Sequence, residues 1–349
     1  MLIVILVILS LSLLILGHEA GHFFVAKYFK LKIDEFGFGF PPRLWSRKKG
    51  EVEYSLNALP FGGFVKIAGE NDRIGGEMEK LRSLPEKEKA RIFLFQPAWR
   101  RALIVAAGVT VNFIIGWILV SLVLMIGTPG VVIVTDIEPD SPAAQAGVMP
   151  NDIFRDFSSS GEFLKFINAN RGKPTDFKVL RNSKELDLTI TPREENNASK
   201  GALGVYFTEG GEEKLGFFSA IWNGLKRSAL IFTLVFRVFY ELVRGMVFEG
   251  RLLEGVVGPV GIFSVAQETS GISMIYFVYM LGVISLNLSA INLIPFPALD
   301  GGRIMMILVE KIKGSPLSIK AESLANGMGF VLLIVLMALI TVRDVANLF

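Results

Sequence analysis

The chain has 349 residues, 51% of them hydrophobic and 20% charged, with a formal net charge of +3. This composition excludes an ordinary water-soluble protein, and the small net charge indicates no nucleic-acid-binding surface. With no cysteine, the chain offers no thiolate metal ligands and is silent about its redox compartment.

Four long apolar stretches predict four membrane-spanning helices. A helix needs about 20 apolar residues to cross the hydrocarbon core of a bilayer. The stretches are residues 1–17 with an extension at 23–26, residues 102–127, residues 270–299 and residues 323–342. The alternative for the first stretch is a cleaved signal peptide, but it lacks a basic start and a small-residue cleavage site.

Basic residues indicate the orientation of the chain in the membrane. No Lys or Arg precedes the first predicted span, whereas 16 lie between Lys27 and Arg101, against 10 acidic residues. The positive-inside rule therefore predicts that residues 27–101 are cytoplasmic. With four spans, residues 128–269 and both termini are predicted to be extracytoplasmic, and the 303–322 loop cytoplasmic.

The pentapeptide HEAGH, residues 18–22, follows the first apolar stretch. His18 and His22 are four residues apart, so on a helix both imidazoles face the same way and can reach one metal ion. Glu19 is close enough to act on a metal-bound water. The same spacing arises by chance in soluble helices, but polar groups within a membrane helix are normally functional. The sequence therefore predicts a metal site.

A β-hairpin is predicted for residues 51–68, EVEYSLNALPFGGFVKIA. The segment alternates in polarity and has a turn signal at Pro60, Phe61, Gly62 and Gly63. Its apolar character predicts that it enters the membrane near the metal site. An exposed edge of such a hairpin could pair with an extended substrate.

The extracytoplasmic segment begins with features of a small globular domain. Residues 131–137, VVIVTDI, predict a strand. A short helix should follow, because Ser141 is a good N-cap, Pro142 suits the first helical position and Gly147 suits the helix end.

The rest of this domain is predicted to contain one more helix and two strands. The helix covers residues 161–172, and the strands DFKVLRN and KELDLTITP are joined by a turn around Asn182 and Ser183. Two short helices against a small sheet match the layout of a PDZ domain, and PDSPAAQAGVMPNDIF resembles the PDZ signature of bacterial proteases. The alternative is another small α+β module.

Residues 216–244 are apolar but are interrupted by charges. Lys226, Arg237, Glu241 and Arg244 fall on one helical face, because eleven residues make about three turns. This pattern predicts one or two amphipathic helices that lie on the membrane surface instead of crossing it.

The third metal ligand must be a carboxylate, because the chain has no third histidine and no cysteine. Asp300 is the best candidate, since it lies in NLIPFPALDGG (292–302), where the third span meets the cytoplasm at the depth of HEAGH. Pro295 and Pro297 interrupt the helix there, which is tolerated only where the backbone is buried in protein or lines a cavity. The alternative is an ordinary carboxylate at a helix end before a Gly-Gly turn.

Together these motifs resemble the site-2 protease family. HEAGH in a first span, with N-x-x-P-x-P-x-L-D-G from Asn292 to Gly301 in a later one, is the paired signature of that family. The resemblance is greatest to the bacterial regulator of sigma-E protease (RseP) group, and it extends to FGFGFPPRLW, LPFGGFVKIAGE, GVTVNFIIG and GPVGI. One departure is that well-studied members have two tandem PDZ domains, whereas this chain has room for one.

The resemblance implies an intramembrane zinc metalloendopeptidase in the bacterial cytoplasmic (inner) membrane. Zn²⁺ would be held by His18, His22 and Asp300, with Glu19 as the general base. The implied substrates are single-span membrane proteins that another protease has already cleaved, such as an anti-sigma factor or a remnant signal peptide. The other partner is membrane lipid.

The resemblance also implies residues that hold an unwound substrate. The hairpin with Phe61, Gly62 and Gly63 corresponds to a membrane re-entrant β-loop. Asn287 and Asn292 would bind the substrate backbone from the third span, and Asn112 would assist from the second. The alternative for each asparagine is a contact between helices.

The predicted fold is therefore a polytopic α-helical membrane protein with a membrane-associated β-hairpin and one extracytoplasmic α+β PDZ domain. Its predicted parts are a first half of the protease core (1–127), the PDZ domain (128–198), an amphipathic surface linker (199–269) and the second half of the core (270–349). Two other functions stay open. A non-catalytic membrane scaffold with a structural metal site would not need Glu19. A metal transporter would need a chain of polar residues across the membrane, whereas only one span contributes histidines.

Overall fold

The computed structural model describes residues 2–70, 81, 83–181, 184–194, 201–245, 248, 258–315 and 317–346. It divides into two compact units. The membrane unit comprises Met1–Val120, Trp222–Phe263 and Tyr279–Phe349, and the sheet unit comprises Ser121–Ile221 and Ser264–Val278.

The helices and strands of the described residues in chain order are α1 (Leu2–Tyr28), β1 (Ile33–Lys49), β2 (Val52–Ile67), α2 (Glu86–Lys89), α3 (Ala98–Ile126), β3 (Thr128–Ile137), α4 (Pro142–Gln145), β4 (Ile153–Phe154), α5 (Ser160–Ala169), β5 (Thr175–Arg181), β6 (Lys184–Ile190), β7 (Val205–Glu212), α6 (Phe217–Arg244), α7 (Pro259–Ile272), α8 (Met274–Leu293), α9 (Asp300–Lys313) and α10 (Ile319–Ala346).

The prediction of four spans is confirmed. Within the described residues, four helices are long and apolar enough to cross a membrane: Ile3–Tyr28, Ala98–Ile126, Met274–Leu293 and Lys320–Ala346. The third is shorter than the predicted stretch 270–299, because residues 270–272 belong to α7. At its other end α8 stops at Leu293, since the prolines at 295 and 297 lack the N–H that would continue the helix. The chain becomes helical again at Asp300.

The hairpin predicted for residues 51–68 is wrong in its pairing. These residues form a single strand, β2, and the hairpin turn lies at Gly50 and Glu51, between β1 and β2. Within this pairing, residues 35–38 have partners on two sides, at 63–66 and at 53–56. The first part of β1 therefore lies between the two halves of β2. The predicted turn at Pro60 to Gly63 falls where the chain passes from one half of β2 to the other, across the first part of β1. The alternation of polarity does not distinguish such a connection from a hairpin turn.

The sheet unit has five strands in the order β6-β5-β4-β3-β7, and every neighbouring pair is antiparallel. The predicted strand and first helix are present: Ser141 Oγ accepts a hydrogen bond from Ala144 N at 3.1 Å, and Gly147 has a φ of +82°. The core of the sheet unit includes the fully buried rings of Phe154, Phe163 and Phe177.

Two features of this unit go beyond the predicted domain. β7 pairs with β3, so the sheet continues past the predicted boundary at residue 198, and part of the predicted linker is sheet. β7 is hard to recognise from the sequence, because a strand is stabilised by its pairing and packing with neighbours and not by an intrinsic backbone preference. The predicted turn at Asn182 and Ser183 lies outside the described residues.

The amphipathic segment forms a single helix, α6, instead of two. Among the described helices it is not one of the four spans. Arg237 and Glu241 lie one turn apart, with Nε and Oε1 separated by 3.1 Å, as expected for residues on one face.

Candidate metal centre

The two histidines of the chain meet on one face of α1. His18 and His22 lie one helical turn apart, and their Nε2 atoms are 3.2 Å apart. Both imidazole side chains are buried, and the helix that carries them is otherwise mostly apolar. Two imidazoles buried together in this way are suited to sharing one cation.

Asp300 completes the group from the other end of the chain. Its Oδ2 lies 3.0 Å from Nε2 of His18 and 3.4 Å from Nε2 of His22. Asp300 is the first residue of α9. It follows the non-helical segment that begins after α8 ends at Leu293. The break requires the two glycines that follow: a Cβ on Gly301 or Gly302 would lie 2.2 Å from a backbone oxygen of this segment.

The three ligand atoms fit a metal ion better than a set of direct hydrogen bonds. Oδ2 of Asp300 is buried and accepts no hydrogen bond with good geometry from the described residues, despite its short distances to both histidines. Tetrahedral zinc with ligands at about 2.1 Å would place these atoms roughly 3.4 Å apart. The observed separations of 3.0, 3.2 and 3.4 Å are close to that value. Two imidazoles and one carboxylate are the donor set of many catalytic zinc sites.

The orientation of His22 is fixed by the backbone of α3. Its Nδ1 donates a hydrogen bond to the carbonyl oxygen of Ile104 at 2.8 Å. This contact holds the proton on Nδ1 and leaves the lone pair of Nε2 for a metal, which is the usual outer contact of a histidine ligand. Sequence reasoning missed Ile104, because a backbone carbonyl has no signature in the sequence.

Gly108 lets α3 approach the two histidines. A Cβ at this position would lie 2.5 Å from Nε2 of His22 and 2.7 Å from Cε1 of His18. Gly21 has the complementary role on α1, since a Cβ there would lie 2.5 Å from the carbonyl oxygen of Ala107. The close approach of two helices through glycine is common in membranes. Pairs of glycines in facing spans were the available signal for this contact.

Glu19 lies beside the ligands and contacts β2. Its Oε2 accepts a hydrogen bond from the backbone N–H of Val65 at 3.1 Å. The carboxylate and the three ligands line the same cavity of about 340 Å³. Glu19 thus lies close to the candidate ligands and is held by a different contact.

Two of the three predicted asparagines line this cavity. Asn292 and Asn112 are among its walls, and Asn287 is not. Five residues turn a helix through about 140°, so Asn287 and Asn292 leave α8 in different directions. Asn112 is 1% exposed, and its amide nitrogen and oxygen have no hydrogen-bond partner among the described residues. A buried amide without partners is costly unless a ligand supplies them.

The predicted residues of the β-loop lie next to the site but not in the cavity wall. A Cβ on Gly62 would lie 3.3 Å from Ile15, and one on Gly63 would lie 3.2 Å from Leu16, so both glycines pack on α1 just before His18. The side chain of Phe61 is outside what the structure describes.

Sequence reasoning also missed an ion pair in the cavity wall. Arg303, one turn after Asp300, pairs with Glu70, and both side chains line the cavity. No motif connects these two residues, because they lie far apart in the chain.

Comparison with known proteins gives a consistent result. The model for peptidase family M50 matches residues 6–336. A Clostridium perfringens protein described as a candidate zinc metalloprotease is 30% identical over 347 residues, covering 98% of each chain. The zinc metalloprotease RasP of Oceanobacillus iheyensis is 27% identical over 428 aligned positions, and the regulator of sigma-W protease RasP of Bacillus subtilis is 26% identical over 417, each covering 98% of both chains.

Proposed function

The chain belongs to peptidase family M50, and we propose that this zinc metalloprotease cleaves single-span membrane proteins within their transmembrane segments. In this proposal His18, His22 and Asp300 hold the zinc ion, and Glu19 is the general base. The observation that carries it is the meeting of three buried ligand atoms from the two ends of the chain, with a carboxylate beside them.

Each residue has a definite role in the proposed reaction. A zinc ion held by these three residues would act as a Lewis acid on the scissile carbonyl. Glu19 takes a proton from the attacking water and delivers it to the leaving amide nitrogen. The hydrogen bond from Val65 N holds the Glu19 carboxylate at the edge of the cavity, so that one oxygen remains available for the water.

The second half of β2 is the proposed substrate-binding strand. Residues 63–67 pair with β1 on one side, and no other strand of the described chain pairs with them on the opposite side, where Val65 faces Glu19. An extended substrate added along this edge would bring its backbone to the base. The unpaired amide of Asn112, with Asn292, would then bind the backbone groups that unwinding exposes.

The extracytoplasmic domain is proposed to be a single PDZ-like domain. Its support is the antiparallel sheet with two short helices and the capped turn at Ser141, and the proposed domain includes β7 as well as residues 128–198. We propose that this domain excludes substrates with bulky ectodomains and contributes little to catalysis. Residues 199–269, except for those of β7, are proposed to link the domain to the second half of the core.

The biological setting is proposed from the sequence and one relative. The charge distribution supports cytoplasmic residues 27–101 in a bacterial inner membrane. The name of the Bacillus subtilis relative connects that protein to a sigma factor. It supports a role for this chain in regulated proteolysis of an anti-sigma factor. Cleavage of remnant signal peptides and a first cut by another protease are proposed from the family resemblance of the sequence alone.

The test is the cleavage of a model single-span substrate in reconstituted membranes. Glu19→Gln should retain zinc and lose activity at least 100-fold, because the substitution removes the base and no ligand. Glu86→Gln, an exposed change on the same predicted side of the membrane, should retain both. Equal cleavage by the wild type and the Glu19→Gln variant would reject the mechanism. A zinc-loaded wild type that cleaves no substrate would favour a scaffold with a structural metal site.

A further inference from the structure

A basic cavity of about 460 Å³ lies at the end of α1, in the membrane unit. Its walls come from the C-terminal end of α1, the turn between β1 and β2, and the loop that follows α2. It shares no wall residue with the metal cavity. The cationic side chains of its lining are Lys27, Lys30, Lys49 and Arg91.

The positive charge of this cavity is only partly compensated. Glu51 is the single carboxylate of its lining, and Arg91 pairs with it through Nη1 at 3.0 Å and through a second contact from Nη2. The hydrogen bonds from Arg91 lower the pKa of Glu51. In the part of the chain that the structure describes, Lys27, Lys30 and Lys49 form no ion pair with a carboxylate. Three uncompensated lysines therefore surround one cavity.

The floor of the cavity is apolar. Leu31 and Ile33 are 4% and 3% exposed, and Val52 packs against the same core. Cationic walls above an apolar floor fit a ligand that has an anionic group joined to a hydrophobic part. A free inorganic anion would use only the walls.

The position of the cavity at the membrane surface indicates the ligand. α1 is long and apolar enough to span the bilayer up to Tyr28, and Lys27 and Lys30 are the first basic residues of the chain. Basic residues at the end of a span lie at the level of the lipid headgroups. The anion present at that depth in any cell membrane is the phosphate of a phospholipid.

We propose that this cavity is a binding site for the headgroup of an anionic phospholipid. The lysines contact its phosphate, and the apolar floor contacts the glycerol and the start of an acyl chain. A lipid bound there would connect the β1–β2 turn to the end of α1, which carries HEAGH. The proposal holds for either orientation of the chain and does not depend on the proposed proteolysis.

The experiment counts lipids bound to the full-length protein by native mass spectrometry. The protein is titrated in detergent with dioleoyl phosphatidylglycerol or dioleoyl phosphatidylcholine, and zinc content reports on correct folding. The site variant is Lys27→Gln/Lys30→Gln/Lys49→Gln. Its matched control is Lys311→Gln/Lys313→Gln/Lys320→Gln, which removes three exposed charges from the 303–322 loop.

The wild type and the control should bind phosphatidylglycerol more tightly than phosphatidylcholine. Each basic residue near an anionic headgroup strengthens binding about fivefold, so the site variant should bind phosphatidylglycerol roughly 100-fold more weakly. Replacing the same three lysines by arginine should preserve the affinity.

Four results would overturn the proposal. They are unchanged binding in the site variant, an equal loss in the control, equal binding of phosphatidylcholine by the wild type, and displacement of phosphatidylglycerol by millimolar inorganic phosphate. The last result would identify a site for free phosphate instead of a lipid.

Discussion

A buried carboxylate in the sheet unit has hydrogen-bond partners within the protein, whereas several buried polar groups at the metal centre have none in the described part of the chain. In the sheet unit Asp152 is fully buried, and its carboxylate accepts hydrogen bonds from Arg181 Nε, Arg181 Nη2 and Met149 N at 2.7–2.8 Å. At the metal centre, Oδ2 of Asp300, Nδ1 of His18 and the amide of Asn112 are buried without hydrogen-bond partners among the described residues.

The two regions differ in whether the free-energy cost of burying a polar group is offset within the protein. A buried polar group without a partner costs about 1–3 kcal/mol, and more if it is charged. In the sheet unit Asp152 avoids this cost through pairing within the protein, which stabilises one conformation. We expect the metal centre to retain it, because a bound metal ion would be the partner of Asp300 Oδ2 and a substrate backbone would be the partner of the Asn112 amide, while Nδ1 of His18 gains no partner from either. Substitutions in the two regions should therefore affect different measurements.

The largest effect is expected for Asp300→Asn. A neutral amide is a poor replacement for a carboxylate ligand, so zinc affinity and proteolytic activity should both fall at least 100-fold. The measurements are zinc content after dialysis and cleavage of a single-span substrate. Asp34→Asn is the control, because its ion pair with Lys32 is long and partly exposed and should contribute little. Full zinc occupancy in the Asp300→Asn variant would mean that another acid is the ligand.

Gly108→Ala should also weaken zinc binding, although it changes no ligand. The added Cβ would lie 2.5 Å from Nε2 of His22, so either α3 or the imidazoles must move. We expect at least a tenfold loss of zinc affinity, of the size seen when groups that orient ligands are disturbed. Gly327→Ala in α10 is the matched control, since a Cβ there meets nothing within 4 Å. Normal zinc content in both variants would show that the close approach of α3 has no role in orienting the ligands.

Asp152→Asn should act on the sheet unit alone. Breaking a buried ion pair costs about 3–5 kcal/mol in free energy of unfolding, because Arg181 loses the carboxylate that raises its pKa. The domain should become sensitive to protease at lower denaturant concentration, with zinc content unchanged. Asp187→Asn, an exposed change in the neighbouring strand β6, should leave this sensitivity unaltered. Loss of zinc from the Asp152→Asn variant would contradict the separation of the two regions.

The smallest effect on catalysis is expected from removing the domain. Deletion of roughly residues 128–212, which removes β7 together with the strand it pairs with, should leave cleavage of a short, trimmed substrate nearly unchanged and should permit cleavage of substrates with large ectodomains. The comparison uses both substrates in reconstituted membranes, with zinc content as the folding control. If the zinc-loaded deletion variant no longer cleaves the trimmed substrate, the domain captures substrates instead of excluding them.

Local patterns in the sequence predicted much of the fold. The four spans, the cap at Ser141 and the amphipathic helix α6 follow from composition and from spacing within one element. The pairing of β1 with β2 and the addition of β7 to the sheet did not, because strand pairing depends on packing against neighbouring strands, which the local alternation of polarity does not record.

The sequence by itself determined that His18 and His22 share a helical face with Glu19 beside them, because four residues make about one turn of a helix. Only the tertiary structure brought Asp300 within 3.0 Å of His18, selected Asn292 over Asn287 for the cavity, and placed the carbonyl of Ile104 against His22. Periodicity fixes which residues of one helix face the same way. Which backbone or helix they face depends on packing, here on the close approach that Gly21 and Gly108 allow between α1 and α3.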